Sequence, residues 1–514
     1  MSKTIIIIGA GLAGLSAALQ AAENGCNVKL VSSLPSERAQ SVMAEGGINA
    51  ALNTKDENDS PEEHFTDTIK AACGLADPNA VWGMTQAAPE LVHWLLKLGV
   101  KFNMSGYDDV DLRNFGGQKK KRTAFAQSDT GKQIMTAMID AVRRKEASGM
   151  VERFSHHSFL TLRLCGNICC GCVIRDEYSQ RIVELPGDAV IVATGGMHGL
   201  FGNTTGSLSN TGEVTAELFR LGVPLANGEM IQYHPTTVKC GGKRMLISEA
   251  ARGEGGRLFA MKDGKQWYFM EEKYPELGNL MPRDITAREI WKVSHESEVF
   301  LDMTEISEEI ISNKLSGLAD DCMTYLHKDI RKEPVSVLPG IHYFMGGILV
   351  DEQHRTPIQN LYAAGECCAQ YHGANRLGGN SLLGALYGGR VAAKSACEQA
   401  DVVDLSCATQ IDFPPASQIS EIKQLNKVMQ ETMGVVRNEN TLLNGIQTVQ
   451  ALTGNLPLLG MAVLKSALAR KESRGAHWRE DYPKSNDDDY LKTTVARFDG
   501  KQIQISFVPV PERR

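Results

Sequence analysis

The chain has 514 residues, of which 42% are hydrophobic and 6% aromatic, and its formal net charge is −7. This length exceeds what one hydrophobic core usually organises, so we expect two or three domains of an ordinary globular protein. The small negative charge gives no reason to expect a nucleic-acid partner. An anionic ligand would therefore be held by local cations rather than by a basic surface.

The sequence favours a cytoplasmic location without membrane-spanning segments. Its first residues do not resemble a signal peptide, and no apolar run approaches the roughly 18 residues needed to cross a bilayer. The twelve cysteines have no regular spacing, which fits reduced thiols. Four of them lie close together in sequence: Cys165, Cys169, Cys170 and Cys172. Residues 168–174 are predicted to form a strand, whose alternate side chains face opposite ways, so we predict structural cysteines and no metal site.

The N-terminal residues predict a βαβ unit that binds a dinucleotide. Four consecutive isoleucines at 5–8 fit a buried parallel strand, a helical pattern covers residues 15–24, and a second strand is predicted at 28–32. The intervening turn supplies the candidate pyrophosphate-binding residues Gly9, Gly11, Ala13 and Gly14. Ser32 stands where an NAD enzyme places an acidic residue for the ribose. A plain NAD dehydrogenase is therefore disfavoured, and Ser32 becomes a candidate cofactor contact.

Two later segments repeat the pattern of an apolar strand that enters a glycine turn. One covers residues 189–196 and includes Ala193, Thr194 and Gly195, and the other covers residues 361–366 and ends at Glu366. Three separated segments that return to one nucleotide predict a flavin-binding domain interrupted by an insertion. The alternation breaks between about residues 226 and 339, which places the insertion there. From about residue 416 the chain shows helical periodicity.

Charged and polar side chains of the kind used in catalysis stand in several separated motifs. These residues are His234, Ser248, Glu249, Arg252, Arg283, His342 and Arg376. Arg376 lies between the segment 361–366 and a glycine-rich helix start at 378–382. Its planar fork of donors can hold a carboxylate through two parallel hydrogen bonds, and a helix N-terminus offers N–H groups to an electron-rich flavin edge.

At these residues the sequence resembles the flavoprotein subunits of the succinate dehydrogenase and fumarate reductase family, which also includes L-aspartate oxidase. The resemblance extends from Gly9 to the segment 474–483. It implies an α/β protein with a Rossmann-like FAD-binding domain, residues 1–225 and 340–405, interrupted by a mobile α+β capping domain, residues 226–339. A helical C-terminal domain with a tail, residues 416–514, would follow. Four further FAD contacts are expected at Gly46, Gly47, Ser381 and Leu382.

The resemblance also implies roles for the catalytic side chains. Four residues match positions that bind the carboxylates of a C4 dicarboxylate: His234, Ser248, His342 and Arg376. Arg283 matches the proton donor of the capping domain, and Glu249 and Arg252 match the residues that relay protons to it. Reduction of an activated C=C bond needs a hydride from flavin N5 on one carbon and a proton on the other.

Two departures from the family pattern narrow the prediction. Gln40 stands where most respiratory members carry the histidine that binds FAD covalently, so non-covalent FAD is expected. Since covalent attachment supports succinate oxidation in the family, its absence favours fumarate reduction. L-Aspartate oxidases carry a glutamate for the substrate ammonium where this chain has Phe115. Phe115 therefore argues against an L-aspartate oxidase. Two other features resemble that enzyme: the sequence around Ser248 and the expected non-covalent FAD.

Three alternatives to a fumarate reductase or succinate dehydrogenase stay open at this point. They are an L-aspartate oxidase, a reductase of another unsaturated carboxylic acid, and a flavin-binding electron-transfer subunit without chemistry of its own. The chain shows no haem-attachment motif and no FMN-carrier domain, so electrons would come from outside. The resemblance implies an iron–sulfur partner subunit, through which the protein would reach the inner face of the cell membrane indirectly.

Overall fold

The centre of the molecule is a five-stranded parallel sheet. A computed structural model describes residues 2–106, 108–400, 411, 413 and 418–514. In spatial order the strands are Leu361–Ala363, Ala189–Val192, Thr4–Ile8, Asn27–Ser32 and Val151–Ser155. The isoleucine run lies in the middle position, where both faces of the strand are buried. The three segments that the sequence predicted to converge on one nucleotide are therefore adjacent strands.

Two helices lean against each other on one face of this sheet, and both begin at its carboxyl edge. The first helix, Leu12–Glu23, starts directly after the glycine turn, three residues earlier than predicted, and the second is Asn380–Gln399. A Cβ atom on Gly14 would lie 1.8 Å from the carbonyl oxygen of Gly9. Only glycine permits this tight strand-to-helix turn, which explains why the helix can begin inside the motif.

The rest of the nucleotide-binding region surrounds this sheet. Its other helices are Pro61–Ala71, Pro78–Leu98, Thr130–Ala147 and Glu213–Arg220. A small sheet is formed by Ile48–Asn49, Thr123–Ala124 and Leu112–Arg113, and an antiparallel sheet by His157–Cys165, Ile168–Asp176 and Ile182–Pro186.

The segment between residues 226 and 339 has an apolar core of its own, which includes Leu258, Ile290 and Leu301. Its four-stranded sheet consists of Lys265–Trp267, Arg257–Lys262, Val299–Asp302 and Val335–Ser336. Its helices are Glu249–Gly253, Phe269–Lys273, Arg283–Val293, Glu308–Lys314 and Ser316–Asp321. A second sheet, with the order Lys243–Leu246, Ile231–Cys240 and Leu338–Phe344, joins the two ends of the segment. A separate core supports the capping domain, and the domain boundaries stay predictions.

The C-terminal region begins with helices, as the periodicity predicted, and ends with a hairpin that it did not predict. The helices are Ile419–Thr432, Glu439–Val449, Asn455–Ala469 and the short Asp487–Tyr490. The hairpin strands Lys492–Phe498 and Ile503–Pro509 extend a sheet whose other strands are Leu225–Ala226, Gly347–Leu349 and Cys368–Ala369. This pairing joins the end of the chain to the nucleotide-binding region.

The cysteine cluster behaves as part of the core, with one exception. Cys169 and Cys172 lie on the predicted strand and are buried in one apolar cluster with Ile6 and Ile174. Ten of the cysteines are free thiols, whereas Cys165 is disulfide-bonded, so the expectation of reduced thiols throughout is wrong at this position. Within the described ranges, no three histidine, cysteine or acidic side chains are grouped so that they could hold a metal ion. Every helix in these ranges is too short or too polar to cross a membrane.

Candidate active site

One cavity of about 1410 Å³ runs from the N-terminal glycine turn to the predicted catalytic arginines. All but one of the predicted cofactor contacts line it: Gly9, Gly11, Ala13, Ser32, Gly46, Gly47, Ala193, Thr194, Gly195, Glu366, Ser381 and Leu382. Gly14 lies behind the turn, against Gly9. The other end of the cavity is lined by His234, Ser248, Glu249, Arg283, His342 and Arg376, and Arg252 lies behind Glu249.

The long arm of the cavity fits a dinucleotide such as FAD. The helix Leu12–Glu23 begins in its wall, and a helix N-terminus favours a pyrophosphate. A Cβ on Gly11 would meet the side chains of Ala39 and Ser41 at 3.7 Å, which is ordinary van der Waals contact, and Gly11 itself lines the cavity. The hydroxyl of Ser32 is buried without a hydrogen-bond partner in the described chain, which suits a ribose hydroxyl.

The second helix that faces the cofactor arm starts at a glycine in the left-handed conformation. Gly379 precedes Asn380–Gln399 with φ of 83°, and a Cβ there would meet the side chain of Asn49 at 2.0 Å. Glycine alone fits both the backbone conformation and the space. The first residues of the helix therefore form part of the cavity wall, at Ser381 and Leu382.

Glu249 lies at the centre of a buried chain of charges. Arg283 holds it with Nε 2.7 Å and Nη2 2.5 Å from Oε2, while Arg252 places Nη2 3.4 Å from Oε1. Gly116 N–H donates to Oε1 at 3.0 Å. Burial raises the pKa of Glu249, but Arg283 and Arg252 together outweigh burial and keep that pKa below its usual value. Glu249 is therefore a carboxylate, in contact with one arginine on each side.

The local sequence explains this arrangement. Ser248 caps the short helix Glu249–Gly253, since its hydroxyl accepts from Ala250 N–H at 3.4 Å. Residues three apart on a helix face the same side, which aligns Glu249 with Arg252. The second arginine comes from the first position of the helix Arg283–Val293, and its side chain is 7% exposed.

Arg376 lies at the same end of the cavity as this chain of charges. Its Nη2 donates to Gln232 Oε1 at 3.0 Å, and its guanidinium stacks over the Tyr343 ring at 4.3 Å. Nε is buried and finds no hydrogen-bond partner among the described residues. Burial, and then the positive charge of Arg283, lower the pKa of Arg376 to about 9. A buried cation with unused donors is well suited to bind an anionic ligand.

The two histidines approach each other, with ring centroids 5.1 Å apart. His342 Nδ1 is 2.8 Å from the hydroxyl of Thr205, and His234 Nδ1 is 3.1 Å from the carbonyl oxygen of Thr236. Burial and the nearby charge of Arg283 lower the pKa of both rings well below the usual value. Both imidazoles are therefore neutral at pH 7, and both residues line the cavity.

Sequence reasoning missed the residue that joins the two arginines. Gln232 is fully buried, and its Oε1 accepts from Arg283 at 3.1 Å and from Arg376 at 3.0 Å. Its Nε2 donates to the carbonyl oxygen of Arg376 at 2.8 Å. Gln232 stands two positions before His234 on one strand, and this period of two was a usable signal. Thr205, in a loop far from any motif, had no such signal.

A second missed residue, Glu45, lies beside the predicted contacts at 46 and 47. It lines the cavity, and its Oε2 has no hydrogen-bond partner in the part of the chain that is described. Burial, followed by the charges of Asp321 and Asp129, raises the pKa of Glu45 to about 8, although Arg113 acts in the opposite direction. At pH 7 this side chain is mostly a neutral acid.

The two residues that narrowed the sequence prediction both face the cavity. Phe115 is 2% exposed, and its ring lies beside Gly46. The side-chain amide of the nearby Gln118 donates hydrogen bonds to Asn49 Oδ1 and to the carbonyl oxygen of Gly378. Gln40 lies in the short turn Gln40–Met43 on the cofactor side of the cavity wall. The cavity wall that Phe115 forms is therefore apolar.

The fold and the cavity define a flavin-dependent oxidoreductase, and comparisons with known proteins agree. The sequence model of the FAD binding domain family matches residues 4–382, and that of the fumarate reductase flavoprotein C-terminus matches residues 452–513. The succinate dehydrogenase flavoprotein subunit of Bacillus subtilis is 38% identical over 100% of this chain and 98% of the relative. The 8-methylmenaquinol:fumarate reductase flavoprotein subunit of Wolinella succinogenes is 32% identical over 100% and 92%.

Solved structures show the same relationship. A mutant form of FrdA of E. coli quinol fumarate reductase matches with a TM-score of 0.90 at 27% identity, over 99% of this chain and 97% of that one. Sdh1 of Mycobacterium smegmatis matches with a TM-score of 0.84 at 29% identity, over 100% and 95%. The chain belongs to the family of succinate dehydrogenase and fumarate reductase flavoprotein subunits, FAD-dependent oxidoreductases that act on CH–CH bonds. The predicted family, fold class and enzyme class are confirmed.

Proposed function

We propose that this protein is the catalytic flavoprotein subunit of a fumarate reductase or succinate dehydrogenase, with fumarate reduction as the favoured direction. The observation that carries the proposal is the pair Arg283 and Arg376, both buried at one end of the cavity and both bonded to Gln232 Oε1. Glu249 offsets only one of the three positive charges of Arg252, Arg283 and Arg376, and the carboxylates of a C4 dicarboxylate match the remaining excess.

Each side chain has a role that its contacts support. Arg376 binds one carboxylate through its unused donors, and His234, His342 and Ser248 hydrogen-bond the substrate as neutral groups. Bound FAD supplies the hydride that one olefinic carbon receives. Arg283 delivers a proton to the other carbon, and Glu249, 2.5 Å from it, then passes a replacement proton to Arg283. Arg252 compensates the buried carboxylate and extends the relay beyond it.

Competitive inhibition by malonate tests this assignment. Malonate carries two carboxylates and no reducible double bond, so it should occupy the same site and compete with fumarate in dye-linked reduction. Inhibition that more fumarate cannot relieve, or an absence of inhibition, would contradict a site built for dicarboxylates.

We expect FAD to be bound tightly but without a covalent link, because Gln40 cannot form the histidyl–flavin bond. Precipitation of the purified holoprotein with acid should release the yellow flavin into the supernatant. The pellet, digested and examined for peptide-bound flavin fluorescence, should be blank. Flavin that remains on the denatured polypeptide would contradict the prediction, and with it the reason for favouring the reductase direction.

L-Aspartate should be a poor substrate, although it carries the same two carboxylates as succinate. The ring of Phe115 cannot compensate the desolvation of a substrate ammonium group, and an unpaired buried charge is costly. The measurement compares oxygen-dependent oxidation of L-aspartate with fumarate reduction by the same preparation. Rates of aspartate oxidation equal to or above those of fumarate reduction would favour an L-aspartate oxidase instead.

An iron–sulfur subunit is the proposed source of electrons. The relatives described above are named as flavoprotein subunits, which places them in larger assemblies. Through such a partner the protein would act at the inner face of the cell membrane.

A further inference from the structure

A C-terminal segment that takes no direct part in the proposed chemistry lies against the loop that carries Arg376. The N–H of Ala476 donates to the carbonyl oxygen of Ala374 at 2.9 Å. The preceding residue, Gly475, has φ of 55°, and a Cβ atom on it would lie 2.6 Å from that same carbonyl oxygen. The segment and the loop are therefore in backbone contact, and no side chain fits between them.

The opposite side of the loop is held in the same way. Ala374 N–H donates to the carbonyl oxygen of Ala72 at 3.0 Å, and a Cβ on Gly373 would lie 2.6 Å from that oxygen. The loop 373–376 is thus enclosed between the turn at residue 72 and the segment 475–476. Arg474 connects the two outer layers, because its Nη1 donates to the carbonyl oxygen of Cys73 at 3.2 Å.

Buried charges fix the C-terminal segment itself. Arg474 Nε and Arg470 Nη1 each lie 2.8 Å from Oε1 of the fully buried Glu472. Arg470 also pairs with Glu229 at 2.7 Å, and His477 Nδ1 lies 2.9 Å from Arg437 Nη1. Buried, hydrogen-bonded charges of this kind restrict local motion. The loop 373–376 is therefore packed against a segment that is itself held in place.

We propose that Gly475 is a positioning residue for Arg376: it sets where the substrate-binding guanidinium stands without touching the substrate. The inference rests on the proposed role of Arg376 in binding a carboxylate. A side chain at position 475 would push the Ala374 carbonyl, and with it the loop two residues before Arg376. Since bidentate carboxylate binding depends on geometry, a shift of a few tenths of an ångström is expected to weaken ligand binding.

The test is Gly475→Ala in the full-length holoprotein, with malonate affinity measured from the change in the flavin spectrum. We expect the Kd for malonate to rise about tenfold or more, at unchanged FAD content. Gly166→Ala is the matched control, because Gly166 has φ of 59° and a Cβ atom on it would meet no described atom within 4 Å. This control carries the same backbone strain and should keep the wild-type Kd within about twofold.

Two further variants keep the inference testable. Gly475→Asn tolerates the left-handed conformation but still adds a Cβ, so it should also weaken malonate binding. Arg474→Lys leaves Gly475 in place and removes the guanidinium that contacts Cys73 and Glu472. This variant replaces the Gly475 variants if they do not fold, and its Kd for malonate should rise threefold or more. Wild-type affinity in the folded variants would overturn the inference. If Arg376→Lys also leaves malonate binding unchanged, the proposed function of Arg376 fails instead.

Discussion

Changing Arg283 to alanine is expected to lower the rate of fumarate reduction at least about 100-fold while the FAD content stays normal. A positioned general acid contributes about 10²- to 10⁴-fold to a rate, and Arg283 is the cationic donor in contact with Glu249 inside the cavity. Glu249 would still be bonded to Gly116 N–H and paired with Arg252, so the loss should concern the chemistry. Turnover with a reduced dye and the flavin-to-protein ratio are the two measurements.

Arg257→Ala is the matched control for this variant. Arg257 belongs to the same inserted segment and pairs with Glu271 at 2.6 Å, but its side chain is 41% exposed and lies outside the cavity. An exposed ion pair contributes about 0–1 kcal/mol, so turnover should be unchanged. If Arg283→Ala kept more than about a tenth of the wild-type turnover, a cost below ~1.4 kcal/mol, the role of proton donor would be wrong.

Changing Arg376 to lysine is expected to weaken malonate binding by about 2–3 kcal/mol, or about 30- to 150-fold in Kd. Lysine keeps the positive charge but lacks the planar fork, and it cannot stack over Tyr343 as the guanidinium does. Because lysine has no second nitrogen to reach Gln232, the Oε1 atom of Gln232 would stay bonded to Arg283 alone. Titration of the holoprotein with malonate, followed in the flavin spectrum, measures the effect.

FAD occupancy of Arg376→Lys should equal that of the wild type, since the predicted dinucleotide contacts lie along the other arm of the cavity. Arg288→Lys provides a comparison on the helix Arg283–Val293: Arg288 stacks over Trp478 at 4.0 Å and does not line the cavity. Its affinity for malonate should stay at the wild-type value. An unaltered Kd in Arg376→Lys would show that Arg376 does not hold the substrate.

The parts of the fold that the sequence predicted are those encoded by neighbouring residues. The isoleucine run and the glycine turn specify the first βαβ unit locally. The C-terminal hairpin was missed although it has a local signal: its strands Lys492–Phe498 and Ile503–Pro509 flank a four-residue loop that contains Asp499 and Gly500. Only its place in the sheet, beside Leu225–Ala226 more than 260 positions away, leaves no local trace.

The same distinction applies to the site. Residues inside motifs, such as Glu249 and Arg376, were predicted as site residues from the sequence, and in the structure both line one cavity. Gln232 and Thr205 were not singled out, because their importance lies in which side chains they contact in the folded chain. Glu45 illustrates a further limit: its raised pKa comes from burial and from Asp321 of the inserted segment, which no local pattern reveals.

The most direct test of the central proposal is dye-linked turnover of the purified holoprotein with fumarate and with succinate. Reduced one-electron dye should be oxidised on addition of fumarate, succinate should be the product, and the reverse reaction with an oxidised dye should be slower. Arg283→Ala should show neither reaction above the level of free flavin. A holoprotein with full FAD content that neither reduces fumarate nor oxidises succinate would contradict the proposed function.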